Sequence, residues 1–406
     1  MTDEETFRNI ILEQRIRIFL QPIISIKEKR VIGFEALTRG IDPETGEMVP
    51  PIPLFQTARR MDRALEFDRL CRKTAVKDFL KAELNLAHML FINFDPSILA
   101  DVTIGNGWMR GVVEEEGLNP ANVAIEIVES PQVSTKDLVH FVELYKRFGF
   151  LIVLDDFGAR HSNLDRILSL KPDILKIDRE LIDGVGRDYY KQSIVASISD
   201  LAGKIGTLVL AEGVEAVEDI IKCYELGVNL FQGYYFARPA PPDRLLDHFC
   251  TRSIHHVSRG ILHHLKDHIT LEMETQQAYN TITWELCAEL SRLFPDAVNG
   301  FLKDSVDRYD QIQCLYVLDP DGRQISHTHC KFTISSKSDH PLFKPSAKGT
   351  DHSLKSYFYY LQILKLDTYF SDPYTSLATG CICRTMSAVY RGAEGAFRIL
   401  CVDFNV

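Results

Sequence analysis

The sequence predicts an α/β fold: a (β/α)₈ barrel with one antiparallel strand, a helical connector, and a small α+β domain. Three observations carry this expectation. Across residues 1–245, short runs rich in Ile, Val, Leu and Phe alternate with helix-length segments, the pattern of strands buried on both faces. Eight such runs within roughly 240 residues suit a closed barrel. From residue 301 to 406 the pattern changes to strand, turn and strand, and the chain finishes on the apolar run AFRILCVDFNV.

The eight runs are IRIFLQPIIS, VIGFEALTRG, MLFINFD, NVAIEIVES, FLIVLDDFG, ILKID, TLVLAEGV and LFQGYYFARP. Only IKEKR separates the first two, too short for a parallel crossover, so they form an antiparallel hairpin. Ser134 offers an N-cap, and Asp137 an acidic first turn, to the helix LVHFVELYKRF. The pair Pro241-Pro242 marks the exit from the barrel. Residues 246–300 read as helical: Ile254, Val257, Ile261 and Leu265 give one apolar stripe, Gly260 interrupts or bends it, and Pro295 marks its end. In the last domain, QCLYVLDPDGRQIS reads as a hairpin about an Asp-Pro-Asp-Gly turn.

Composition narrows the function. The 406 residues are 45% hydrophobic and 25% charged, a globular mixture, and the formal net charge is −10. That charge opposes binding to a nucleic-acid polymer or an anionic membrane. No apolar run reaches the length of a membrane span, and the acidic start MTDEETFRNI lacks a signal-peptide pattern. Nine scattered cysteines without a CxxC pair suit a reducing cytoplasm better than disulfides or a zinc site.

The informative feature is the residue type at each strand end. The second strand carries Glu35, the third Asn93, the fourth Glu126, the fifth Asp155 and Asp156, the sixth Lys176, the seventh Glu212 and the eighth Gln232. In a barrel these ends converge on one mouth. Any one of them alone would read as a cap or a solvated loop residue. Together, that many carboxylates need cations to offset their repulsion. An all-oxygen donor set selects Mg²⁺ or Mn²⁺ over zinc. A pair of such ions suits attack on a phosphate.

The ordered motifs FLQPIIS, GFEALTRG, NFD, EIVES, LDDFG, LKID, LAEGVE and FQGYYFARP closely resemble the EAL-domain phosphodiesterases of cyclic di-GMP, over about residues 15–240. The resemblance implies a barrel fold and hydrolysis of one phosphodiester bond to linear pGpG, with two divalent cations. It assigns metal ligation to Glu35, Asn93, Glu126, Asp155, Asp156 and Glu212. Catalytic roles fall to Glu35, Lys176, Glu212 and Gln232, with Lys176 orienting the attacking water or steadying developing charge. Gln21, Leu37, Arg39, Asp178, Phe236 and Pro239 correspond to substrate contacts. Glu215 resembles a supporting carboxylate, and Glu129 the glutamate that anchors the loop after the fifth strand. That loop departs from the family pattern: Arg160 replaces a glycine, His161 an aromatic residue, and Asn163 a serine. The departure leaves two readings open, an enzyme of weak or conditional activity and a cyclic di-GMP receptor whose altered loop, 159–163, limits turnover. Gln21 and Arg39 in their family positions argue against a different phosphodiester substrate.

Other features read more plainly. His255, His256, His263, His264 and His268 lie along a helix surface or dimer seam, although His264 and His268 have metal-ligand spacing. Cys381 and Cys383 share a strand face and read as buried, and Glu114, Glu115 and Glu116 as a solvated helix face. The C-terminal stretch is loosely similar to PAS-like or Cache-like sensor domains. That similarity implies a homodimer and leaves two readings open, a domain that takes a small ligand or protein partner, with Tyr374, Arg384 and Asp403 lining a pocket, and a purely structural dimerisation domain.

Overall fold

The computed structural model describes residues 3–82, 88–100, 107–128, 134–158, 164–244, 250–331 and 342–405. The chain divides into two compact units, Met1–Lys266 and Asp267–Val406.

The first unit is a closed barrel. Its strands are β1 (Ile16–Ser25), β2 (Arg30–Ile41), β3 (Met89–Phe94), β4 (Val123–Ile127), β5 (Leu151–Phe157), β6 (Ile174–Ile177), β7 (Leu208–Ala211) and β8 (Leu230–Phe231). Around the barrel the order is β1-β8-β7-β6-β5-β4-β3-β2, and β1 pairs with β2 to close it. The short linker has the predicted effect: β1 runs antiparallel to both β2 and β8, while all other neighbours are parallel. The principal outer helices are α1 (Asp3–Leu12), α2 (Pro51–Arg60), α3 (Ala64–Lys81), α4 (Trp108–Glu115), α5 (Thr135–Arg147), α6 (Leu164–Leu170), α7 (Arg179–Ile182), α8 (Tyr189–Ile205) and α9 (Val217–Glu225).

Strand alternation divides each strand's side chains between two layers. One set packs outward against the helices, as Leu90, Ile92, Ile125, Ile152 and Leu154 do. The other fills the barrel's inside with Ile23, Phe91, Ala124, Val153, Ile174, Leu210 and Leu230.

Helix α10 (Thr251–Leu290) is continuous through Gly260, so that glycine does not interrupt it as expected. The expected stripe is real: Ile254, Val257 and Ile261 are buried in the first unit and Leu265 packs beside them. Pro295 opens a new helix, α11 (Pro295–Val306), rather than closing the old one, because its missing N–H costs nothing in a first turn.

The second unit is an antiparallel sheet, β9 (Ile312–Leu318), β10 (His329–Cys330), β11 (Thr368–Phe370), β12 (Tyr374–Thr375), β13 (Ile382–Arg391) and β14 (Phe397–Asn405), ordered β10-β9-β14-β13-β11 with β12 also on β13. Leu315 and Val317 face α11 and the end of α10. Tyr316 and Leu318 face α12 (Ser356–Ile363). The expected hairpin after β9 is reduced to a turn: Asp319 Oδ1 accepts from Asp321 N and Arg323 N, and one bridge, Leu318 to Gln324, follows. The cysteine expectation needs a correction, since Cys314 and Cys330 are opposed on β9 and β10 and form a disulfide. The strand pairing brings two cysteines that sequence alone keeps apart within bonding range. Among the described residues no helix is long and apolar enough to cross a membrane.

Candidate metal and phosphodiester site

Each inward apolar residue is followed, two positions later, by a polar one on the same face. Phe91 leads to Asn93, Ala124 to Glu126, Val153 to Asp155, Ile174 to Lys176, Leu210 to Glu212 and Leu230 to Gln232. On antiparallel β1 the direction reverses, and Ile23 is preceded by Gln21. One floor of apolar side chains therefore carries one ring of polar ones.

Lys176 sits at the centre of that ring, 1% exposed. Its Nζ lies 3.1 Å from Glu126, 3.3 Å from Asp155 and 3.6 Å from Glu35, and it also pairs with Glu212. Burial pulls the ammonium downward, but the four carboxylates outweigh it and hold Lys176 well above its usual value. One ammonium does not offset them all. Burial and the neighbouring charges push Glu126 well up, and burial pushes Glu212 up to about 8 despite Lys176. Glu35 is the exception: burial raises it, but Lys176 and donors from Gln232 and Asn93 bring it below its ordinary value. Asn93 Nδ2 donates to Glu35 Oε1 at 2.9 Å, and Gln232 Nε2 donates to Glu35 Oε2 at 2.6 Å. The same Nε2 lies 3.2 Å from Gln21 Oε1, and Gln21 Nε2 donates to Ala237 O.

Asp156 departs from regular strand geometry, with φ of +55°. The register of β5 against β6 shifts between Leu154 and Phe157, so the two consecutive aspartates need not face opposite ways. Ligand atoms of Asp155, Asp156 and Glu212 all lie within 4.8 Å of one another. Burial first, then Asp155 and Asp178, push Asp156 up to about 6.

The residues fit a hard divalent cation. Glu126 Oε1 faces only the shared Lys176 ammonium, while Glu126 Oε2 and Gln232 Oε1 are buried without a donor. Such orphaned buried acceptors are costly unless a cation faces them.

Two cavities open from the ring. One, of about 670 Å³, runs past Glu35, Leu37, Asn93, Asp155 and Asp156 toward α2 and α3. The other, of about 300 Å³, is bordered by Gln21, Lys176, Glu212, Gln232, Arg179 and Glu215. Glu215 pairs with Arg179 at 3.0 Å. Asp178 Oδ1 caps α7 through Glu180 N, while Arg39 donates to Thr38 O and lies over Phe19. Phe236 is packed into the apolar layer and Pro239 is half-buried; neither borders these two cavities. Glu129, Arg160 and the loop 159–163 lie outside the described residues.

Sequence reasoning missed the far wall of the larger cavity, where Arg59, Asp95, Asp68 and Arg72 gather. The one local signal was NFDPS, in which Asp95 caps a turn by accepting from Ser97 N and Oγ. In the second unit, Tyr374 and Asp403 both meet Thr385 Oγ1, at 2.5 and 2.7 Å, whereas Arg384 turns to Ser371 O and the Phe370 ring. Among the histidines, His264 Nε2 is 2.9 Å from Glu225, and the described residues contain no histidine metal cluster.

The EAL domain family profile matches residues 4–239. The uncharacterized EAL-domain containing protein YkuI of Bacillus subtilis is 26% identical over 377 residues, 91% of this chain and 90% of that protein. Its crystal structure, in complex with substrate c-di-GMP and calcium, superposes with a TM-score of 0.82 at 25% identity, covering 100% of both chains. The cyclic di-GMP phosphodiesterase RocR of Pseudomonas aeruginosa is 30% identical over 239 residues, 58% of this chain, and the chain spans 60% of RocR. A manganese/cy-diGMP complex of Klebsiella pneumoniae BlrP1 gives a TM-score of 0.52 at 32% identity, over 56% of this chain and 57% of that one.

Proposed function

The chain belongs to the EAL-domain family, and from that premise we propose that it binds cyclic di-GMP and hydrolyses one phosphodiester bond to give linear pGpG, using two divalent cations. The observation that carries this reading is the convergence of Glu35, Glu126, Asp155 and Glu212 on Lys176 at one barrel mouth. With Asp156 added, five carboxylates surround one ammonium; fully ionised they leave a surplus of four negative charges, which two divalent cations would neutralise. YkuI with calcium and BlrP1 with manganese support divalent cations as the partner.

Bound cations would supply Lewis acidity toward the phosphoryl oxygens and a lowered water pKa. The protein's own groups do the rest. Glu35, Asn93, Glu126, Asp155, Asp156 and Glu212 would hold the cations. Gln232 Nε2 holds Glu35 in orientation, and its unpartnered Oε1 is free to accept a hydrogen bond from the attacking water and so orient it. Lys176 Nζ, at the centre of the ring, would stabilise the negative charge that develops on the phosphoryl oxygens. Water forms the new P–O bond, the P–O3′ bond breaks, and the leaving oxygen takes a proton, which leaves a 5′-phosphate on the product. Gln21, Leu37 and Arg39 contact the dinucleotide from β1 and β2. Gln21 and Leu37 border the two cavities.

A homodimer is part of this proposal. Tyr190, Ile194, Leu201 and Ile205 leave one side of α8 apolar and exposed, and Leu168 of α6 is 74% exposed. The C-terminal unit is proposed to act on the barrel as a regulatory domain.

The test incubates the pure protein with cyclic di-GMP and Mg²⁺ or Mn²⁺. pGpG that appears in the wild type and vanishes in Glu35→Ala supports the enzyme. Tight binding without product identifies a receptor, and absence of binding overturns the proposal.

A further inference from the structure

The larger cavity begins at the metal-binding ring and ends at a charged wall that the proposed chemistry does not use. Its sides are apolar, with Pro51, Ile52 and Phe55 from α2 and Phe94 from β3. At about 670 Å³ it has the size of a small-molecule site. A flat aromatic group tethered to a phosphate at the ring would lie along these walls.

The end wall carries Arg59. Its Nε and one terminal nitrogen both donate to Asp95 Oδ2, at 3.2 and 2.8 Å. Asp95 is itself fixed, because its other oxygen accepts from Ser97 N at 3.0 Å and Ser97 Oγ at 2.7 Å. It is two residues past Asn93, so the guanidinium is registered against the same strand end that supplies a metal ligand. Arg59 remains 53% exposed at its side chain, so the fork is tethered on one edge and open on the other. A second cation lies behind it. Arg72 borders the same cavity, is 5% exposed, packs over Phe94 and Trp108, pairs with Asp68, and keeps its Nε without an acceptor. The wall therefore presents donors, one tethered and one buried and unsatisfied, to whatever fills the cavity.

We propose that Arg59, held by Asp95, reads the O6/N7 edge of one guanine of the dinucleotide and thereby selects guanine over adenine. The inference rests on the cyclic di-GMP reading above and names the specificity residue of that site. The chemistry follows from the two bases. Guanine offers acceptors at both O6 and N7, which match two guanidinium N–H groups, whereas adenine places an N6 amino donor where O6 would be. Donor would meet donor, and the arginine would lose its solvation without gaining a partner.

The experiment measures equilibrium binding of cyclic di-GMP and cyclic di-AMP to the full-length wild type, Arg59→Ala, Arg59→Lys and Asp95→Asn, in Ca²⁺. Wild type is expected to prefer the guanine dinucleotide. Arg59→Ala is expected to lose about 10- to 100-fold in cyclic di-GMP affinity with cyclic di-AMP nearly unchanged, the size of one two-donor base contact. Arg59→Lys should recover part of the preference, and Asp95→Asn should weaken it by loosening the tether. A structural defect would instead weaken both ligands alike. An Arg59→Ala protein that keeps the wild-type preference overturns this inference alone. A wild type that binds both equally likewise overturns this inference alone, and one that binds neither overturns it together with the proposed function.

Discussion

Two consecutive aspartates can serve one site only where the strand stops alternating, and Asp156 shows the device. Its φ of +55° lies in the left-handed region, which costs a residue with a Cβ about 1–2 kcal/mol. Asp tolerates it better than most, and Asp156 N donates to Asp155 Oδ1 at 3.0 Å in compensation. That backbone brings a third carboxylate oxygen beside those of Asp155 and Glu212, all within 4.8 Å, in a group that could hold an ion. Asp156→Ala should therefore lower Mn²⁺ affinity at least about tenfold by calorimetric titration, the order expected for a lost ligand or its support. An unchanged titration would remove Asp156 from the site. The strand-end residues were legible in the sequence because a barrel strand has a period of two, so a polar residue two places past a core residue must share its face. Arg59 and Asp95 were not legible. They are 36 residues apart, and their meeting exists only after α2 has packed beside the loop that follows β3.

At the scale of elements, local chemistry decided most of the topology. Four residues between β1 and β2 allow only a hairpin, and the barrel's one antiparallel strand follows. Gly158 is a similar local requirement. It has φ of +97°, and a Cβ there would stand 2.2 Å from Leu181 Cδ1 on α7. Gly158→Ala is expected to destabilise the barrel by about 1–3 kcal/mol, from backbone strain and displacement of Leu181. The check is a chemical denaturation midpoint with and without Mn²⁺; a midpoint equal to the wild type would show that α7 moves aside freely. Where elements depended on distant partners, the sequence was silent. The disulfide joins cysteines 16 residues apart, and it needed β10 to pair with β9 before the thiols could meet. Pro295 was ambiguous for another reason, since proline equally ends one helix and begins the next.

For the molecule as a whole, the two units have separate apolar cores, one built on barrel strands and one on the antiparallel sheet. Helix α10 contributes to both, with Val257 and Ile261 in one core and Leu286 and Leu290 in the other. Two thermal transitions are expected, and different ligands should move them. Divalent cations bind only the folded barrel and should raise its transition by mass action. Protons should move the other. Asp403 lies on β14 in the sheet interior, 3% exposed, where burial pushes its carboxyl up to about 7 and the Thr385 hydroxyl opposes only part of that. An unfolded aspartate has released its proton by about pH 4, whereas the folded protein keeps it. The folded state thus binds the extra proton between about pH 4 and 7, and stability must fall as pH rises through that window, by at most about 4 kcal/mol, then level off. His352 works the other way. Burial pushes it down to about 4, so its contribution to stability is lost as pH falls below about 6.5. Comparing Asp403→Asn with wild type at each pH cancels the histidine. The variant should gain on the wild type from about pH 4 to 7 and then hold that gain, in the cation-insensitive transition, and leave the cation-sensitive one in place. Parallel pH profiles for the two proteins in scanning calorimetry would mean that Asp403 is already ionised in the fold.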